Sequence, residues 1–200
     1  EAEVHWRSFL EQLSSRGLKG IMLFISDDHS GLKAARRSIF PSIKWQRCQF
    51  HLAQNAQGYS PKKKMKGEIA SAMRNIFRCP TQELAQIEIR RIEEKYKKTA
   101  PEFIQWLTSN IDEGLACLSF PFEQQKKIRT VNCLERLHRE IRRRTRVVNL
   151  FPNKESCLRL VTATLIEKHE DWSSSKAMLN MKYLYDPDLV DAKEILRSII

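Results

Sequence analysis

The 200-residue sequence predicts an α/β fold, helix-rich overall and interrupted by an all-helical block. Three observations carry that prediction. A continuous apolar run, Ile21-Met22-Leu23-Phe24-Ile25, is bounded by Gly20 and by Ser26-Asp27-Asp28, as a strand in a sheet covered on both faces would be. Helical periodicity lies on either side of it, with a second strand pattern close behind. From residue 59 onward, amphipathic helical patterns follow one another without a further strand.

In order, residues 3 to 14 carry Trp6, Phe9 or Leu10, and Leu13 at helical spacing, and Gly17 stands where a C-cap belongs. The apolar run is the first strand. Residues 31 to 40 form a short helix closed by Pro41, and residues 43 to 52 alternate as a second strand, Ile43 and Trp45 on one side, Cys48 and Phe50 on the other. Ser60-Pro61 can open a helix with Met65, Ile69, Met73 and Ile76 on one face. Thr81 is an N-cap for a helix facing inward with Ala85, Ile89, Ile92 and Tyr96. Pro101 opens a third, carrying Ile104, Leu107, Ile111 and Leu115. A long helix is expected from about Lys126 to Arg146, with Ile128, Val131, Leu134 and Ile141 as its stripe. Asn153 caps another that ends near Trp172.

Composition narrows the class. The formal charge is +11, from 35 Lys and Arg against 24 Asp and Glu, the electrostatic footprint of a protein that meets nucleic acid or another polyanion. The charge is clustered: six arginines lie between Arg136 and Arg146 against one acid, Glu140, and Lys62, Lys63 and Lys64 form a second basic run. The longest clean apolar run falls far short of the roughly 18 residues of a membrane span, so no membrane partner is expected. Five cysteines without framework spacing read as reduced thiols of a cytoplasmic protein. The opening "EAEVHWRSFLEQL" starts inside an amphipathic pattern and reads as a piece of a longer product.

Glu135 heads a helical face with Arg139, Arg142 and Arg146. Such a face forms local Glu–Arg pairs worth a few tenths of a kcal/mol each, or offers bidentate hydrogen bonds to phosphate oxygens with a carboxylate beside them. Asp27 lies at the carboxyl end of the first strand, the edge where α/β sheets bind ligands. Its other role is to cap the next helix, which Asp28 or Ser30 could do equally well. Cys48 and His51 form C-x-x-H, but no second Cys/His pair completes a four-ligand structural zinc site, so a packed cysteine and a hydrogen-bonded histidine are expected there.

Together, "ISDDHSGLKAA" (25–35), "FPSIKWQRCQFHLAQN" (40–55) and "IRTVNCLERLHREIRRRTRVVNLFPN" (128–153) resemble, in order, the signature blocks of bacterial insertion-sequence transposases of the Mutator-like superfamily. "APEFIQWL" and "FPF" between them are similar too, and the likeness covers roughly residues 1 to 172. The resemblance implies a partial RNase H-like core whose acidic triad, two Asp and one Glu, binds Mg²⁺ or Mn²⁺, with a helical insertion before the Glu. By motif, Asp27 matches the second Asp and Glu135 the Glu, both catalytic and metal-binding. Cys48 and His51 match C-x-x-H near the active centre. Asn132 and Arg136 flank the Glu as DNA-facing or site-shaping residues. Arg139, Arg142, Arg143, Arg146, Lys62, Lys63 and Lys64 are the expected DNA contacts.

The implied organisation is 1–58 as the first part of the core with early strands missing, 59–120 as the helical insertion, 121–172 as the return to the core, and 173–200 as a tail. The implied function is metal-dependent cleavage and strand transfer of double-stranded DNA at element ends and target, by a protein that is a homo-oligomer at full length, in the bacterial cytoplasm at the nucleoid. Nothing before residue 27 matches the first Asp of the triad, since Glu1, Glu3 and Glu11 sit in helical sequence, so this piece alone is expected to be inactive. A non-catalytic DNA-binding remnant is the alternative, and a helical protein-interaction module over residues 60 to 117 a third reading.

Overall fold

The computed structural model of the protein describes residues 2–180. They fall into two compact units that divide between Thr130 and Val131.

The first unit opens with α1 (Glu3–Ser15), which buries Leu10 and packs on α2 (Ser30–Ile39); Trp6 of α1 meets the His29 ring edge-on at 6.0 Å. The chain leaves α1 through Gly17, at φ +96°, a left-handed conformation suited to glycine at a helix end. It then forms β1 (Leu23–Ser26), α2 and β2 (Lys44–Arg47). The strands are parallel, with Ser26 level with Arg47, and the helix between them supplies the crossover that parallel pairing requires. Among the described residues the sheet has two strands, and Leu23, Phe24 and Ile25 remain only half-buried. The expected cover on both faces is therefore not seen here.

The second strand is shorter than its alternation suggested. After Arg47 the chain turns helical, and α3 runs Gln49–Ala56 with Cys48 as its N-cap residue. Phe50, expected on a strand face with Cys48, is 55% exposed on this helix. Gln49, Leu52 and Ala56 explain the change: at helical spacing all three are buried on one side, whereas a strand would turn Gln49 to the face opposite Leu52 and Ala56.

That core lies mainly in the helical block. α4 (Lys66–Arg78), α5 (Gln82–Tyr96) and α6 (Pro101–Asn110) follow two short 3-10 turns, Gln57–Tyr59 before Ser60-Pro61 and Lys63–Met65 after it, so the helix expected from Ser60-Pro61 begins at Lys66. Thr81 caps α5 by accepting from Leu84 N at 3.3 Å. Ile69, Met73 and Ile76 bury against Ala85, Ile89, Ile92 and Tyr96, as their spacing predicted, and Phe103, Trp106 and Leu107 close the cluster. The 3-10 turns Ile111–Gly114 and Ala116–Ser119 bring the chain back to β2. A side chain at Gly114 would sit 2.6 Å from Leu52 Cδ2 and 3.3 Å from Phe77 Cε1, so close approach requires glycine there. α7 (Phe122–Ile128) completes the unit, and Arg129 ties it back by accepting from Gln49 N at 3.0 Å and donating to the Phe77 carbonyl at 3.0 Å.

The predicted long helix from Lys126 to Arg146 is interrupted. It stops at Ile128 and restarts as α8 (Asn132–Val148), so Val131 is an N-cap residue rather than part of a continuous stripe. Leu134, also assigned to that stripe, is 51% exposed. α8 pairs with α9 (Lys154–Ser174) in a helical hairpin, the second unit, whose turn ends at Asn153, capping α9 through a 2.8 Å hydrogen bond from Ser156 N. The tail expected over 173–200 lies outside the described residues from 181 onward. Among the described residues no helix is long and apolar enough to cross a membrane.

Candidate active site

Asp27 follows the last residue of β1, and the register places it beside Cys48, the residue after β2. Cys48 N donates to the Ser26 carbonyl at 2.8 Å, carrying the ladder one step past both strands. The Asp27 backbone is fixed in turn: its carbonyl accepts from Ser26 Oγ at 2.9 Å and from His29 N at 3.1 Å, while the Trp45 indole donates to Ser26 Oγ at 2.9 Å. Its side chain remains 54% exposed and open to a ligand.

Neither Asp27 nor Asp28 nor Ser30 caps α2. His29 does, its Nδ1 accepting from Leu32 N at 3.2 Å. This frees both aspartates for other partners.

Asp28 belongs to an ion network that sequence reasoning missed. Arg47, only 2% exposed, contacts Asp28 Oδ2 at 3.0 Å and Glu113 Oε2 at 2.9 Å, and donates to Asn110 Oδ1 at 3.1 Å. Lys33 Nζ bridges the same two carboxylates at 2.9 Å each. Burial pulls the Lys33 ammonium down, but its hydrogen bonds to Glu113 and Asp28 outweigh that pull and raise its pKa above the ordinary lysine value. Glu113 comes from the helical block and is distant in sequence from the strands it clamps. Two buried glutamines add to the clamp: Gln46 and Gln49 donate to the Gly114 carbonyl at 2.7 and 2.8 Å, and Gln46 Oε1 accepts from Cys117 N at 2.7 Å.

The C-x-x-H residues lie against Asp27. Cys48 is the N-cap residue of α3 and His51 is in its first turn, three positions on, a spacing that turns both side chains to the same side. His51 Nδ1 lies 2.6 Å from Asp27 Oδ1. Donor atoms of Asp27, Cys48 and His51 all fall within 4.8 Å of one another. Asp27, Cys48 and His51 are thus brought together, with Cys48 and His51 at the start of a helix rather than at the end of a strand.

The second unit carries the other candidates on α8. Asn132 is its first residue and Glu135 lies in its first turn, Glu135 N donating to the Val131 carbonyl at 3.0 Å. Arg136, Arg139, Arg142 and Arg146 are exposed. Farther along the helix, Glu140 receives two hydrogen bonds from Arg143, at 2.9 and 2.7 Å, and one from Arg144 at 3.0 Å. Arg143 and Arg144 together hold the Glu140 carboxyl at about 2. Arg144 also reaches Glu167 of α9 at 2.8 Å, pinning the hairpin. Arg143 is thus committed to a carboxylate, although it remains at the surface. Lys62, Lys63 and Lys64 are exposed beside the first turns of the helical block.

Comparison with known proteins agrees with these motifs. The family described as "Transposase, Mutator family" matches residues 1–175. The chain is 47% identical over 180 residues to the transposase for insertion sequence element IS406 of Burkholderia multivorans, a match covering 90% of this chain and 46% of that protein. It is 38% identical over 181 residues to the ISRM5 transposase of Rhizobium meliloti, covering 90% of this chain and 45% of the relative. The IS256 transposase of transposon Tn4001 from Staphylococcus aureus is 35% identical over 185 residues, covering 90% and 46%. The chain spans about half the length of these relatives. With strand-end aspartate, C-x-x-H and glutamate-headed arginine helix all inside the matched region, this chain belongs to the Mutator family of transposases.

Proposed function

We propose that this chain is part of an insertion-sequence transposase that cleaves and joins DNA by metal-dependent phosphoryl transfer, with Asp27 and Glu135 as two of its metal-binding carboxylates. The observation that carries the reading is the division of labour at the end of β1. Asp28 is taken up by Arg47 and Lys33, whereas Asp27, beside His51, keeps a half-exposed carboxylate on a backbone whose carbonyl accepts two hydrogen bonds. An oxygen donor held rigidly at a sheet edge suits Mg²⁺ or Mn²⁺. When bound, such ions supply charge stabilisation for the attacking and departing oxygens.

The chain's own residues bind and orient the substrate. Arg139, Arg142 and Arg146, exposed along α8, and Lys62, Lys63 and Lys64 contact phosphates of double-stranded DNA at the element ends and target. Glu135 at the head of α8 brings a carboxylate to that basic face, with Asn132 and Arg136 shaping its approach. The other acid of an Asp-Asp-Glu set is not found among residues 1–26, where Glu3 and Glu11 lie on α1, so the 200-residue chain alone nicks DNA feebly or not at all. The full-length protein acts as a homo-oligomer on paired ends, in the bacterial cytoplasm at the nucleoid.

The test is E135Q in the full-length protein, assayed with Mg²⁺ on a duplex carrying the element end. The enzyme reading expects cleavage to vanish while DNA affinity stays within about twofold, since one added or lost surface charge shifts binding little. Undiminished cleavage would remove Glu135 from the site, and a parent protein that never cleaves would favour a non-catalytic DNA-binding role.

A further inference from the structure

Parallel register and helix spacing bring three different donors to one point: a carboxylate from the end of β1, a thiol from the N-cap of α3 and an imidazole from its first turn. Among the described residues this is the one group of three His, Cys, Asp or Glu side chains close enough to hold an ion. We propose that Asp27, Cys48 and His51 form a site for a thiophilic divalent ion, of the zinc and cobalt type, in which an oxygen, a sulfur and a nitrogen bind the same cation.

The chemistry of the donor set selects the metal. Thiolate and imidazole favour zinc-like ions, whereas Mg²⁺ takes oxygen ligands and gains nothing from sulfur. Three protein donors leave a fourth tetrahedral position for water or a substrate oxygen, unlike the closed four-ligand structural site that the sequence lacks. Charge also balances: a thiolate and a carboxylate neutralise a divalent cation. Cys48 is fully buried, where a charged sulfur requires such compensation.

The donor spacing lies on either side of what a tetrahedral ion requires. Tetrahedral bonds of about 2.0–2.3 Å set neighbouring donors roughly 3.3–3.8 Å apart. The Asp27–His51 contact of 2.6 Å is shorter than that, and the three-donor spread of up to 4.8 Å is longer. Entry of the ion therefore replaces the Asp27–His51 contact by two metal bonds and draws in the sulfur. The Cys48 thiol gives up its proton to solvent, and no redox change occurs.

The consequence, which rests on the proposed function, is competition. An ion in this site engages Asp27, so zinc opposes the Mg²⁺-dependent reaction and Cys48 sets the sensitivity. Binding itself can be read without DNA or catalysis, so a failed cleavage reading and a failed metal site are separable.

The experiment titrates Co²⁺ into the reduced 200-residue chain and follows the near-ultraviolet sulfur-to-cobalt charge-transfer band, with far-UV circular dichroism confirming the fold of each variant. The expected result is saturation at one equivalent, displacement by Zn²⁺ and persistence in excess Mg²⁺. C48A loses the band, C133S keeps it, and H51Q and D27N weaken binding more than about 100-fold, beyond the loss typical of outer-shell partners. Cys117 is a poor competitor, because burial pushes its thiol up to about 11. H51Q leaves every thiol in place and so decides the matter even where C48A does not fold. No band in the parent chain, a band that survives C48A in a folded protein, unweakened binding in H51Q, or displacement by Mg²⁺ would each overturn the proposal.

Discussion

At the end of β1, Asp27 stands among residues gathered from separate stretches of chain. On α8, Glu135 and its arginines are brought together by helical repeat alone. The first region depends on tertiary structure: Arg47 and Lys33 clamp Asp28 to Glu113, glutamines hold the Gly114 turn, and α3 is seated by Leu52 in the helical core. The second depends on spacing and on one local carboxylate, Glu140, for its ordered pairs. The contrast teaches that the helical block is part of the site's support. Remove its grip on β2 and Asp27 loses its frame, whereas α8 keeps its face as long as it remains a helix.

The largest effect expected is at Arg47. R47M leaves Asp28 and Glu113 facing each other with Lys33 as their remaining link. Breaking a buried pair costs roughly 3–5 kcal/mol, and the lower end applies because the acids are 36% and 28% exposed. Urea unfolding monitored by tryptophan fluorescence measures the loss, and a change within error would show that the clamp contributes no stability. G114A tests the same support from the packing side. The added methyl meets Leu52 and Phe77, and overpacking of this kind costs about 1–3 kcal/mol. A neutral result would mean that α3 can shift without disturbing the core.

The second region predicts gentler, additive behaviour. Replacing Arg139, Arg142 and Arg146 with alanine leaves thermal stability nearly unchanged and lowers the slope of log affinity against log salt by about 0.9 per lost phosphate contact on duplex DNA. An unchanged slope would place the DNA on another surface. The smallest effect concerns pH. The Glu140 carboxyl is depressed to about 2 in the folded helix, so its contribution is present above the ordinary carboxylate range and is lost as pH falls toward about 2. E140Q should therefore flatten the acid limb of α8 helicity, followed by circular dichroism, without altering the neutral region.

The same contrast explains what could be read beforehand. Helical faces were legible because burial follows a local period: Ala85, Ile89, Ile92 and Tyr96 are all buried as their spacing requires. The arginine face of α8 was legible for the same reason. The end of the second strand was not, because "IKWQRCQFHL" satisfies strand alternation as well as helix start, and only the distant core that receives Leu52 decides between them. The break at residues 129–131 was hidden because Ile128, Val131 and Leu134 keep a helical period across it. Nothing local couples Arg47 to Glu113, or shows that His29 would cap α2 and release both aspartates.

In the proposed function two adjacent acids do different work, Asp27 in the chemistry and Asp28 in the clamp. Comparing D27N with D28N in the full-length transposase, by melting temperature and by Mg²⁺-dependent cleavage of an element-end duplex, tests it most directly. D27N should melt like the parent and cleave nothing; D28N should melt at lower temperature yet cleave at the parental rate per folded molecule. Cleavage by D27N, or a stable but inactive D28N, would contradict the assignment.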